Sequence, residues 1–81
     1  MDSFHVYVLR SQVDGGLYVG LTTDVRRRLG QHNAGQQRPT KARRPFKLWF
    51  SERFETRAEA RQREKFWKSG SGRELLKRRL G

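Results

Sequence analysis

The sequence predicts an α+β fold of order β-β-α-β-α-α, with a three-stranded, mainly antiparallel sheet flanked by helices. Three observations carry that expectation. Two stretches rich in β-branched and aromatic residues, FHVYVLR and LYVGL, flank Asp14-Gly15-Gly16, a strong hairpin turn. A third such stretch, FKLWFSERF, follows a connector that contains both prolines. Capped segments of helical period follow the second and third of these stretches.

Phe4–Arg10 alternates so that Phe4, Val6 and Val8 share one face and His5, Tyr7 and Leu9 the other. Leu17–Leu21 returns as the second strand. The turn alone leaves open whether Tyr7 and Tyr18 share a face. Gly20 offers a spot without a side chain, where another backbone can approach closely. The first helix starts after Thr23 or Asp24, both good N-caps, runs to Asn33 and ends at Gly35. Gly35–Pro45, GQQRPTKARRP, has no periodicity and reads as a loop, either a solvated connector or a phosphate-contacting segment.

Phe46–Phe54 is the third strand, with Phe46, Leu48 and Phe50 on one side and Trp49 on the other. Thr56-Arg57-Ala58-Glu59 is a capping box, so the second helix begins at Arg57 and continues to about Lys68. Ser71-Gly72-Arg73-Glu74 is a second box. It opens a short third helix whose apolar side is Leu75, Leu76 and Leu80. No repeat or linker is visible, and residues 1–81 read as a single domain.

Composition narrows the function. Lysine and arginine number 19 against 8 acidic residues, a formal net charge of +11. Solubility alone calls for a net charge of about 2–8 in a small domain. The excess points to nucleic acid. A membrane is not expected: no apolar run approaches the roughly 20 residues of a span, and no helix pairs a basic face with a broad aromatic one. There is no cysteine, which fits a cytoplasmic setting and excludes disulfides and cysteine-ligated zinc.

The stretch Leu17–Asn33, LYVGLTTDVRRRLGQHN, concentrates candidate chemistry. At about 100° per residue, Val25, Arg28, Leu29 and His32 fall on one stripe of the first helix. A cation and an imidazole on the docking face of a helix are not explained by solubility. On the second helix Glu64 occupies the apolar stripe between Ala60 and Trp67. A carboxylate there must be paired, protonated or bound to a metal. The cations Arg38, Lys41, Arg43 and Arg44 in the connector, with Lys68 beside Glu64, are candidates for phosphate contact.

Tyr7, then Tyr18-Val19-Gly20, then Arg28, His32 and finally Glu64 on a later helix together resemble the GIY-YIG nuclease family. YVGLTTDVRRRLGQHN and EARQREKFWK carry the likeness, which spans nearly the whole chain and is nearest to the small bacterial members. The resemblance implies that Tyr7 and Tyr18 are the two named tyrosines, Arg28 the family arginine, and His32 the histidine used where no lysine follows the second motif. Leu21 holds that lysine position here. It implies that Glu64 is the single metal ligand. Two features depart from the pattern: the first motif reads His5-Val6-Tyr7 without its glycine, and no asparagine follows Asn33.

The resemblance implies a metal-dependent endonuclease that hydrolyses phosphodiester bonds with a single Mg²⁺ (or Mn²⁺), with DNA repair as its setting. The catalytic set is Tyr7, Tyr18, Arg28, His32 and Glu64; Gly20, Arg38, Lys41, Arg43, Arg44 and Lys68 are expected to meet nucleic acid. The alternatives are a nucleic-acid-binding module of the same fold with little turnover, and an accessory module that recruits a protein partner supplying specificity.

Overall fold

The structure, a computed structural model, describes residues 3–80, with Leu80 as backbone only. Its elements are β1 Phe4–Ser11, β2 Leu17–Thr22, α1 Val25–Asn33, α2 Arg38–Lys41, β3 Phe46–Phe54, α3 Arg57–Lys68 and α4 Gly70–Leu80. The sheet has the order β2-β1-β3 with both pairings antiparallel. It is the α+β architecture expected, with β1 at the centre.

The hairpin closes through Ser11, whose N–H donates to the Gly16 carbonyl at 2.8 Å and whose carbonyl accepts from Gly15 N at 3.0 Å. Gly15 takes φ of 70°, which glycine adopts without strain. The period-2 alternation of β1 then divides the core. Val6 and Val8 pack with Val19, Ala60, Trp67 and Leu76 beneath α3 and α4. Tyr7 and Leu9 pack with Phe46 against Val25 and Leu29 of α1. Helices thus cover both faces. Fully burying a side chain such as Leu76 stabilises the fold by about 1.5–3 kcal/mol.

Two helix starts follow their capping signals. Asp24 accepts from Arg27 N at 3.0 Å, and Thr56 accepts from Glu59 N at 3.2 Å. α1 ends at Gly35, whose φ is 78°. None of the described helices is long and apolar enough to cross a membrane.

The structure corrects four expectations of local structure. The connector is not wholly irregular: Arg38–Lys41 forms the one-turn helix α2, with Pro39 in its first turn and Thr40 buried. Four residues are too few for a periodic signal.

β3 does not keep one alternation. Leu9 faces Leu48 while Val8 faces Phe50, so Trp49 is the extra residue of a bulge. The bulge turns Phe50 to the face of Val8, away from Phe46 and Leu48.

α4 begins at Gly70, one residue before the expected box, and Ser69 Oγ rather than Ser71 accepts from Gly72 N, at 3.2 Å. A Cβ on Gly72 would come within 2.7 Å of Trp67 Cα. That close approach places Gly72 in the first turn of α4. Finally, Leu75 is exposed while Leu76 is buried, and the side chain of Leu80 lies outside the described residues.

Candidate active site

The cluster is built on the pairing of β1 with β2. Tyr7 lies opposite Gly20, and Tyr18 lies opposite Leu9, so both tyrosines project from the same face of the sheet. A Cβ on Gly20 would overlap the Tyr7 phenol. Gly20 therefore makes room for Tyr7 to lie across β2, which corrects the expectation that it admits a nucleic-acid backbone. The two tyrosine rings are 6.4 Å apart between centroids.

α1 delivers His32 into the space between them. The Tyr7 hydroxyl lies 3.0 Å from His32 Nε2, and the Tyr18 ring meets the imidazole edge-on at 4.8 Å. On the far side His32 Nδ1 lies 2.8 Å from Thr40 Oγ1, and the Thr40 hydroxyl donates to the Gln37 carbonyl at 3.3 Å. That hydroxyl has one proton to give. Nδ1–H therefore donates to Thr40, and Nε2 accepts from Tyr7. Thr40 was absent from the candidates, since a lone threonine beside a proline in an unpatterned segment carries no signal. Asn33 was also missed. Its amide exchanges hydrogen bonds with the backbone of Phe46, at 2.6 and 3.1 Å, and so ties the end of α1 to β3.

Burial sorts the five predicted residues. Tyr7 is 1% exposed and His32 is fully buried. Tyr18 and Arg28 are half-buried, and the Glu64 side chain is 12% exposed. Tyr18, Arg28 and Glu64 therefore form the accessible part, with Tyr7 and His32 beneath.

The electrostatics agree with that division. Burial pushes the Tyr7 hydroxyl above its ordinary pKa, with Tyr18 and Glu64 adding to the rise and Arg28 opposing it. Burial, with the Arg28 charge second, holds His32 below its ordinary value. Tyr7 and His32 are thus neutral at pH 7. Arg28 donates from Nη1 to Gln31 Oε1 at 3.1 Å, while its buried Nε has no hydrogen-bond partner among the described residues. The guanidinium keeps donor capacity for an anion.

Glu64 stands on α3 and pairs with cations of its own helix. Its Oε2 accepts from Lys68 Nζ at 3.0 Å, and Oε1 lies 3.8 Å from Arg61 Nη1. Among the described residues no group of three or more His, Cys, Asp or Glu forms a protein cage for a metal. The donor set is one carboxylate. That fits a hard cation such as Mg²⁺, which keeps most of its waters and takes phosphate oxygens from the substrate.

The cations expected to meet nucleic acid separate. Arg43 donates from Nε to Asp14 Oδ2 at 3.1 Å, and its carbonyl accepts from Ser11 Oγ, so it braces the hairpin turn. The Arg44 guanidinium lies against Gly35 at the end of α1. Arg38 and Lys41 stand exposed on α2, in no ion pair among the described residues. Lys68 is committed to Glu64 but half exposed.

The model of the GIY-YIG catalytic domain matches residues 3–79. The chain belongs to the GIY-YIG family. Among its GIY-YIG relatives, a UPF0213 protein of Staphylococcus saprophyticus is 40% identical over 78 residues, which span 95% of this chain and 94% of that one. A UPF0213 protein of Staphylococcus aureus is 46% identical over 65 residues, 79% of this chain and 78% of its own. The solution NMR structure of a UPF0213 protein from Bacillus halodurans matches with a TM-score of 0.56 at 36% identity, covering 91% of this chain and 81% of that one. GIY-YIG membership makes this a nuclease-type fold, in a family whose substrates are nucleic acids and whose nucleases use divalent metals.

Proposed function

We propose that this GIY-YIG protein is a metal-dependent endonuclease that hydrolyses phosphodiester bonds, DNA first, with a single Mg²⁺ or Mn²⁺. The observation that carries the reading is the convergence on one imidazole: Tyr7 is bonded to it at 3.0 Å and Tyr18 packs on it at 4.8 Å. The charges of Arg28 and Glu64 both act on the Tyr7 hydroxyl.

In phosphodiester hydrolysis the barrier arises from charge on the phosphoryl group and the leaving oxygen. The Arg28 guanidinium holds the phosphoryl oxygens by charge-assisted hydrogen bonds. Tyr18, the accessible tyrosine, orients or deprotonates the attacking water. Tyr7 stays protonated and, with His32, fixes the wall against which Tyr18 packs. Glu64 would hold the metal ion, once Lys68 swings into solvent; when bound, the ion supplies charge neutralisation at the phosphate.

A second reading, a nucleic-acid-binding module with little turnover, is favoured by the Glu64–Lys68 pair, which occupies the carboxylate. Incubating the protein with Mg²⁺ and end-labelled linear, flapped and four-way DNAs, and with RNA, separates the two. Metal-dependent nicking is expected. Salt-sensitive binding without nicking of any substrate overturns the nuclease reading in favour of the module.

A further inference from the structure

A second concavity adjoins the cluster. It is a cleft of about 380 Å³ running between the hairpin end of β2 and the helices α3 and α4. Leu17, Trp67 and Leu76 give it an apolar lining, Arg73 and Lys77 of α4 stand on one wall, and none of its lining residues is acidic. Arg73 donates from Nε to the Lys68 carbonyl at 3.3 Å, which anchors its guanidinium where α3 passes into α4. Lys77 lies one turn further along α4.

Lys68 belongs to both sites: it lines the cleft and pairs with Glu64 at 3.0 Å. Tyr18 borders the cleft from β2, while its ring packs on His32 on the other face of the sheet. Whatever occupies the cleft beside Lys68 is therefore within one side chain of the proposed hydrolytic centre.

We infer that this cleft receives one unpaired nucleotide of the strand held at that centre, its base against Leu17 and its phosphates at Lys68, Arg73 and Lys77. The inference rests on the nuclease reading for the identity of the strand. Its volume lies at the small end of the roughly 300–1,000 Å³ typical of small-ligand pockets. That suits one base with its sugar and excludes a duplex. Positive walls around an apolar floor match the phosphates and the base of an unstacked nucleotide. An acidic peptide would satisfy the cations, but its charged side chains would leave the apolar floor unmatched. Extruding a base from a continuous duplex costs its stacking and pairing energy, whereas a nucleotide already unpaired enters without that cost. The substrate class that follows is DNA carrying an unpaired nucleotide next to the scissile phosphate.

Fluorescence anisotropy in EDTA tests this apart from catalysis. The probes are a labelled continuous duplex and the same duplex with one unpaired nucleotide. The wild-type protein is expected to bind the second about tenfold more tightly, as one buried base provides. In the double variant Arg73→Gln, Lys77→Gln both affinities fall, but the unpaired probe falls further and the ratio approaches one. Leu17→Glu, which sets a carboxylate on the floor, collapses the ratio in the same way, with thermal melts checking that it folds. Equal wild-type affinities for the two probes overturn the inference. So does displacement of the unpaired probe by a glutamate-rich peptide but not by a short single strand. Parallel incubations in Mg²⁺ keep the readings distinct. A preference that depends on Arg73 and Lys77 without cleavage of either probe upholds the cleft and sinks the nuclease. Cleavage of both probes with no preference does the reverse.

Discussion

The hydroxyl of Thr40 lies 2.8 Å from Nδ1 of His32, and both residues are fully buried. A residue from a one-turn helix in the connector thus sets which nitrogen of the imidazole faces Tyr7. Removing that hydroxyl leaves a buried N–H without an acceptor, which costs about 1–3 kcal/mol. Thr40→Val is expected to lower the melting temperature and the cleavage rate, and to shift the imidazole nitrogen resonances of His32. Thr40→Ser should restore all three. Unchanged nitrogen resonances in Thr40→Val would show that Thr40 does not set the tautomer.

His32 makes stability depend on pH in a definite direction. Its pKa is held below the ordinary value of about 6.5, so on acidification the unfolded chain takes up a proton first. The stability linked to His32 is full above about pH 6.5 and is lost as pH falls from there through the lowered folded value. Urea unfolding of the wild type and of His32→Gln across that range should give a flatter profile for the variant. His5 and the carboxylates are common to both proteins and cancel in the difference. Parallel profiles would remove His32 from the account.

Glu64→Gln separates a metal ligand from a structural ion pair. Lys68 is half exposed, so losing an i,i+4 pair of this kind costs about 0.3–0.5 kcal/mol and the variant should remain folded. Cleavage in Mg²⁺ should fall on the order of a hundredfold or more. DNA affinity should hold or rise, because a negative charge near the phosphate is gone. Arg28→Ala should also abolish cleavage but weaken binding. A folded Glu64→Gln protein that cuts at the parental rate would eliminate the single-metal mechanism.

Salt dependence tests which cations meet phosphate. Arg43 is held by Asp14 and the Arg44 guanidinium lies against Gly35, whereas Arg38 and Lys41 stand exposed on α2 in no ion pair among the described residues. Neutralising Arg38 and Lys41 together should flatten the slope of log affinity against log salt by roughly 1–2 units and weaken binding alike across sequences. Neutralising Arg43 should instead lower stability through the hairpin, with little change in slope. An unchanged slope in the Arg38 and Lys41 variant would make α2 a plain connector.

The sequence by itself determined the order of the strands and the three long helices, the sheet class and two of the three long-helix starts. These are set locally, by alternation in the strands, Asp14-Gly15-Gly16 in the turn, and the capping side chains of Asp24 and Thr56. The stripe of Val25, Arg28, Leu29 and His32 was legible for the same reason, since helical period alone places those residues on one face. What joins one element to another was decided only by the tertiary structure. The β1–β2 register brought Tyr7 over Gly20 and put both tyrosines on one face, and no turn sequence specifies that pairing uniquely. The bulge at Trp49 reversed the facing of Phe50, because an extra residue in a strand obeys the partner strand and the helix beneath it. α4 starts at Gly70, where Ser69 Oγ accepts from Gly72 N and the backbone of α3 leaves no room for a Cβ on Gly72. Thr40 reached His32 because a buried imidazole nitrogen must find a partner, and the fold brought a hydroxyl from a distant turn to meet it.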